Sequence, residues 1–136
     1  MDARFKVYDM SNIIKNEVLS KYSWFNLGGP ADFFFRPKDK NELSSFLKNL
    51  KNTEIHVLGA GSNTLIREGG IKGAVIKLSS RFSYIEKIDE NTLTVGSATL
   101  DRAVSNFSTD NSISGMEFLS CIPGSIGGGI RMNSGC

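Results

Sequence analysis

Residues 55–63 read Ile-His-Val-Leu-Gly-Ala-Gly-Ser-Asn. The apolar residues around His56 have the makeup of a short buried strand, and the run breaks at Gly59-Ala60-Gly61 into a loop ending in Ser62 and Asn63. Glycines at 59 and 61 can take positive φ and turn successive backbone N–H groups to one side, while Ser62 and Asn63 add side-chain donors. This is the composition of an anion nest that would take a phosphate. A plain tight turn has the same composition, so the stretch alone leaves both readings open. Two phosphate motifs are excluded: no Lys-Ser or Lys-Thr follows the glycines, and the loop lacks the third glycine and opening helix of a dinucleotide-binding fingerprint. A phosphate bound here would be held by loop amides rather than by a helix end.

The 136 residues give room for one domain of ordinary globular composition, with 40% hydrophobic and 22% charged residues and a formal charge of +2. That charge, scattered along the chain, gives no support for nucleic-acid or membrane-surface binding. Apolar runs fall far short of a membrane span and the first ten residues lack an apolar signal core, so a cytoplasmic protein is expected. Cys121 and Cys136 make neither a metal-ligand spacing nor a disulfide framework, and both are expected as free thiols. His56 is the only histidine and sits in an apolar run, which reads as a packed strand residue. Zinc chemistry and a Ser-His triad have no basis, and no metal ligand is assigned.

Outward from the loop, residues 1–20 read as a leader segment, with a short helix expected over Met10–Leu19 from the spacing of Ile13, Ile14 and Val18. Trp24, Phe25 and Leu27 are expected in the core. They lead through Gly28-Gly29-Pro30 into a β-prone run, Ala31 to Arg36, closed by Pro37. Gly28-Gly29 could also let the backbone approach a ligand closely. Lys38 to Leu50 has helix grammar, with Asp39 as cap, Glu42 three positions on, and Leu43, Phe46, Leu47 and Leu50 at helical spacing. With Ile55–Leu58 as a central strand this makes a βαβ-like unit, and Gly73–Leu78 is a further strand.

The texture changes after Ser79-Ser80. Tyr84–Ile88 and Thr92–Val95 alternate as a hairpin across Asp89-Glu90-Asn91, and Thr99 is expected to cap a helix from Leu100 to Asp110, with Leu100, Val104 and Phe107 buried and Asp101 in its first turn. The final segment holds Gly115, Gly124, Gly127, Gly128, Gly129 and Gly135. Pro123-Gly124 sets a turn, Ser125 can cap the residues after it, and each glycine inside a helix costs about 1 kcal/mol against alanine. Ile122, Ile126, Ile130 and Met132 interleave with them, which disfavours a flexible linker and favours packing against a flat ligand or another backbone.

Taken together, WFNLGGPADFFFRP, LGAGSNTLIREGGIKGAVIKL and GMEFLSCIPGSIGGGIRMNSGC resemble in order and spacing the UDP-N-acetylenolpyruvoylglucosamine reductase (UDP-N-acetylmuramate dehydrogenase) family, over Trp24 to Cys136. The resemblance implies the N-terminal part of an α+β, PCMH-type (vanillyl-alcohol-oxidase-like) FAD-binding domain, whose two subdomains clasp FAD. Residues 21–80 would form the first subdomain and 81–136 an incomplete second one. By the same resemblance, Gly59, Ala60, Gly61, Ser62 and Asn63 would hold the pyrophosphate. Ile122, Pro123, Gly124, Ser125, Gly127 and Gly128 would lie along pyrophosphate and flavin, with Met132, Asn133 and Gly135 nearby.

The family reaction passes hydride from NADPH through the flavin to the enolpyruvyl group of UDP-N-acetylglucosamine enolpyruvate, in peptidoglycan precursor synthesis. The family's serine, arginine and glutamate for that chemistry lie downstream of the matching region, so no catalytic residue is assigned. Arg131, Ser125 and Ser134 do not match their positions. The sequence ends within a motif that in the family continues Tyr-Gly, and on the resemblance the substrate-binding domain is expected to lie outside it. NADPH and the UDP-sugar substrate are therefore expected as partners only where a C-terminal part is supplied. The alternatives are a catalytically inactive remnant and a non-enzymatic nucleotide- or flavin-binding module.

Overall fold

The computed structural model describes residues 12–135. They divide into two compact units, one running to Leu58 and including Thr64–Ser79, the other made of Gly59–Asn63 and the chain from Ser80.

The first unit is built on four strands, β1 (Ile13–Val18), β2 (Pro30–Phe35), β3 (Ile55–Val57) and β4 (Ile71–Ile76), in the order β1-β2-β4-β3. β1 runs antiparallel to β2, and β4 is parallel to both β2 and β3. Consecutive phenylalanines in β2 feed opposite faces of the sheet, as the pleat requires. Phe34 packs with Leu19, Ala31, Leu58, Ile66 and Val75, and carries the ring of Tyr22 stacked at 4.6 Å. Phe33 and Phe35 face the other way, with Ala74 and Ile76, beneath helix α1 (Lys40–Asn49), whose Phe46 stacks on Phe35 at 4.1 Å. Asp39 caps α1 by accepting from Glu42 N at 2.8 Å, and the Glu42 carboxylate accepts in return from Lys38 N, a reciprocal cap.

One irregularity shows the ladder being repaired by a side chain. Ala31 pairs with Ile71 and Phe33 with Ala74, so β4 carries one extra residue there, a bulge at which Gly73 takes φ 103°. Asp32 accepts from the Gly73 N–H at 3.1 Å, which satisfies a donor at the break in the ladder.

Three expectations are corrected in this unit. Ile13–Val18 is a strand rather than part of a helix, because pairing with β2 outweighs a helical spacing carried by β-branched residues; Met10 and Ser11 lie outside the described residues. Trp24, Phe25 and Leu27 are more than half exposed: they sit in the turn between the 3-10 helix Leu19–Tyr22 and β2, beyond the reach of the sheet core. β3 is an edge strand, with Val57 74% exposed, since β4 inserts between it and β2. β2, α1 and β3 therefore form a crossover that skips one sheet position. Gly28 and Gly29 each have a reason within the protein to lack a side chain, Gly28 against Ile66 and Gly29 against the backbone of Glu68. A Cβ on Gly29 would stand 1.8 Å from Glu68 O, and the Gly29 N–H donates to Arg67 O at 3.0 Å.

The second unit holds the antiparallel pair β5 (Ile85–Lys87) and β6 (Leu93–Val95), helix α2 (Asp101–Asp110), a 3-10 segment Glu117–Cys121 and a short helix α3 (Ile126–Met132). Thr99 does not cap α2. Its hydroxyl accepts from Tyr84 N at 3.0 Å and donates to Tyr84 O at 3.1 Å, and Leu100, the residue at the cap position, is half exposed. Val104 and Ile113 supply buried apolar surface, while α3 leaves Ile130 and Met132 exposed.

Candidate functional site

Within the second unit, the loop Gly59–Asn63 and the segment Ile122–Gly129 come face to face. A Cβ added to Gly59 would lie 3.3 Å from Ser125 Oγ and 4.0 Å from Gly128 Cα; one added to Gly128 would meet only Ser125 Oγ, at 3.4 Å. Gly61 is buried at φ 78°, in the left-handed region a nest requires. The two stretches singled out in the sequence therefore meet through a pair of glycine backbones with one hydroxyl between them.

The Ile122–Gly129 segment is held by backbone bonds to the chain before α2. Gly127 N donates to Ser97 O at 2.9 Å, Ile126 N to Thr99 O at 2.9 Å, and Asp101 N to Gly124 O at 3.2 Å. Ser125 occupies the N-cap position of α3, yet its hydroxyl makes no capping bond there. It is 4% exposed and its hydroxyl has no hydrogen-bond partner among the described residues. Pro123 is bridged by a bond from Gly124 N to Ile122 O at 3.0 Å, which folds the turn tightly.

The glycines of this segment have different reasons for being glycine. At Gly127 a Cβ would stand 2.9 Å from Ser97 O, at Gly129 3.1 Å from Ser134 Oγ, and at Gly124 2.8 Å from Asp101 Oδ2. These three are crowded by protein atoms, whereas a Cβ on Gly59 would meet only Ser125 Oγ and Gly128 Cα, and one on Gly128 only Ser125 Oγ. Met132, Asn133 and Gly135 lie at and beyond the C-terminal end of α3, exposed, with Asn133 closing the helix at φ 48°. Sequence reasoning missed the supporting layer, Ser97, Thr99 and Asp101. Asp101 looked like a helix first-turn charge; instead it is 1% exposed, its Oδ2 has no partner, and burial pushes its carboxyl above the ordinary carboxylate range.

The donor set suits an anionic, extended ligand. It offers loop amides turning at Gly61, the one residue of Gly59–Asn63 at positive φ, with the hydroxyls of Ser62 and Ser125 and the amide of Asn63. An FAD pyrophosphate fits that chemistry, and the glycine pair leaves the backbone bare where a flat cofactor would pass. Among the described residues, no helix is long and apolar enough to cross a membrane.

These features define a flavin-nucleotide-binding module. A sequence model of the FAD binding domain matches residues 31–136, and the chain belongs to that family. More particularly, it is similar to UDP-N-acetylenolpyruvoylglucosamine reductases. It is 45% identical to that of Pelagibacter ubique over 137 residues, covering 96% of this chain and 45% of the relative. It is 50% identical to that of Rickettsia massiliae over 129 residues, covering 90% and 43%. The crystal structure of UDP-N-acetylenolpyruvylglucosamine reductase from Thermus caldophilus superimposes with a TM-score of 0.74 at 30% identity, covering 90% of this chain and 42% of that one. The chain spans less than half the length of the relatives it matches.

Proposed function

We propose that this chain is the FAD-binding portion of a cytoplasmic, NADPH-dependent reductase that converts UDP-N-acetylglucosamine enolpyruvate to UDP-N-acetylmuramate in peptidoglycan precursor synthesis. The observation that carries the reading is the approach of Gly59 to Ser125 and Gly128. It joins the two stretches that the reductase resemblance pairs. On this reading the amides of Gly59, Ala60 and Gly61, with Ser62 and Asn63, hold the pyrophosphate. Ser125 adds a hydroxyl donor, and Ile122, Pro123, Gly124, Gly127 and Gly128 shape the path of the dinucleotide, with Met132, Asn133 and Gly135 beside it. The two subdomains divide near Ser80, with the Gly59–Asn63 loop working alongside the second.

Bound FAD supplies two-electron redox chemistry. The residues of this chain bind and orient it: glycines remove side chains from its path, and fixed donors meet its negative charge without reorganising. The substrate and NADPH are assigned through the relatives, and their contacts belong to the portion that this chain does not span.

The test is complementation. The full chain, loaded with FAD, is mixed with the remaining portion of the Rickettsia massiliae reductase, and NADPH oxidation is followed with and without UDP-N-acetylglucosamine enolpyruvate. Substrate-dependent oxidation that requires both polypeptides is expected. Retained FAD without any oxidation would contradict the reductase assignment and leave a flavin-binding module.

A further inference from the structure

Asp101 is buried where an ionised carboxylate is costly. It opens α2, whose N-terminal end favours negative charge, yet it is 1% exposed and its Oδ2 has no partner. An isolated buried carboxylate is strongly disfavoured against its neutral acid. The ionisable groups on the surrounding elements do not relieve it. Tyr84 on the hairpin side, Arg102 and Asp110 on α2, Glu117 and Cys121 on the 3-10 segment and Arg131 on α3 are all exposed, and burial is the one cause of the raised Asp101 pKa.

The carboxyl is also in a particular place. Its Oδ2 lies 2.8 Å from where a Cβ on Gly124 would stand, and its two oxygens 3.7 and 3.9 Å from one on Gly129. Its own N–H donates to Gly124 O, and Leu100 before it bridges to Ser125. The group therefore lies against the backbone that carries Ser125 and Gly128. No side chain could replace Gly124 without displacing the acid or the turn.

We propose that Asp101 is a positioning residue whose neutral carboxyl sets the path of Gly124–Gly129, so that binding of FAD is coupled to protonation of Asp101. This rests on the reading of Gly59–Asn63 and Ile122–Gly128 as the flavin site. Ionisation would place an unpaired negative charge behind a segment that receives a pyrophosphate. Like charges disfavour each other, and hydrating the carboxylate would require the Gly124 turn to move. Linkage is reciprocal: the ligand's negative charge raises the proton affinity of Asp101, and binding takes up a proton between its free and bound pKa values. Across that interval FAD affinity falls by up to about tenfold per pH unit, since one proton is involved. Asp101→Asn keeps the shape of the neutral acid and removes the proton.

The experiment is titration of the full chain with FAD by calorimetry, in buffers of different ionisation enthalpy and over a pH series, with the same measurement on Asp101→Asn. Proton uptake by the parent is expected, with affinity that weakens as pH rises. The variant should bind FAD as tightly as the parent does at low pH, without uptake. Uptake is read on the parent alone, so a parent that binds FAD with no proton uptake at any pH overturns the proposal even if the variant fails to fold. Equal pH dependence in parent and variant also overturns it, and leaves the flavin site standing. A parent that takes no FAD at any pH overturns both.

Discussion

Ser125 Oγ lies 3.3 Å from the position a Cβ on Gly59 would occupy, with no hydrogen-bond partner of its own among the described residues. Here it stands between two glycine backbones, and the reading of a flavin pyrophosphate site gives it one.

Gly59→Val and Gly128→Leu each place branched carbon against Ser125 and across the glycine approach. Both variants should fold, since the neighbour each meets first is a side-chain oxygen rather than backbone, and both should lose FAD through gel filtration. Retention at parent stoichiometry, measured by absorbance, would remove that variant's glycine from the binding surface. Gly61→Val, at φ 78°, should lose FAD and stability together, because a β-branched residue is strained there whatever the space.

Ser125→Ala removes one donor and changes little else, because the hydroxyl neither caps α3 nor bonds another described residue. A hydrogen bond to a charged group contributes about 1.5–3 kcal/mol, so the FAD Kd should rise about tenfold to about a hundredfold with an unaltered melting temperature. Fluorescence quenching of FAD measures the first and circular dichroism the second. An unchanged Kd would separate Ser125 from the ligand.

Gly70→Ala should destabilise the first unit by about 3 kcal/mol, as its Cβ would stand 1.9 Å from Pro30 O at φ 73°. Gly69→Ala is the control: no atom lies within 4 Å of its Cβ, and its effect should stay within about 0.5 kcal/mol. Denaturant midpoints compare the two, and equal losses would contradict the close packing of the Pro30 and Gly70 backbones.

Tyr22 donates to Glu17 Oε1 at 2.8 Å, and this bond, with Lys21 beside it, holds the Glu17 carboxyl below its usual value of 4.5. A depressed carboxylate pKa contributes stability that is present above the unfolded-state value and lost as pH falls through the folded one. Tyr22→Phe keeps the stack on Phe34 and should cost about 1–2 kcal/mol at neutral pH. The gap to the parent should close on acidification through the carboxylate range. A gap independent of pH in thermal melts would show that the loss comes from ring packing.

Much of the sheet was legible because strongly apolar, β-prone runs such as Phe33-Phe34-Phe35 and Ala74-Val75-Ile76 have few alternatives, and Asp39 and Glu42 spell a helix start directly. Strand order was not legible. Nothing local in Ile55–Val57 states that β4 will insert beside it and leave it on an edge. Ile13–Val18 misled because apolar positions one and four apart suit a helix, while its partner strand lies beyond the range of any periodicity. At the site, the glycine stretches were visible as composition. The roles of Ser97, Thr99 and Asp101 depend on backbone pairing with Gly124–Gly127 and leave no local signal.

Flavin binding by this chain is tested most simply by the visible absorption spectrum of the purified protein after incubation with FAD and gel filtration, run beside Gly59→Val. A flavin band near one equivalent with shifted peaks is expected in the parent, and none in the variant. A cooperatively folded parent that elutes without colour would contradict the assignment of Gly59–Asn63 and Ile122–Gly128 as the flavin site.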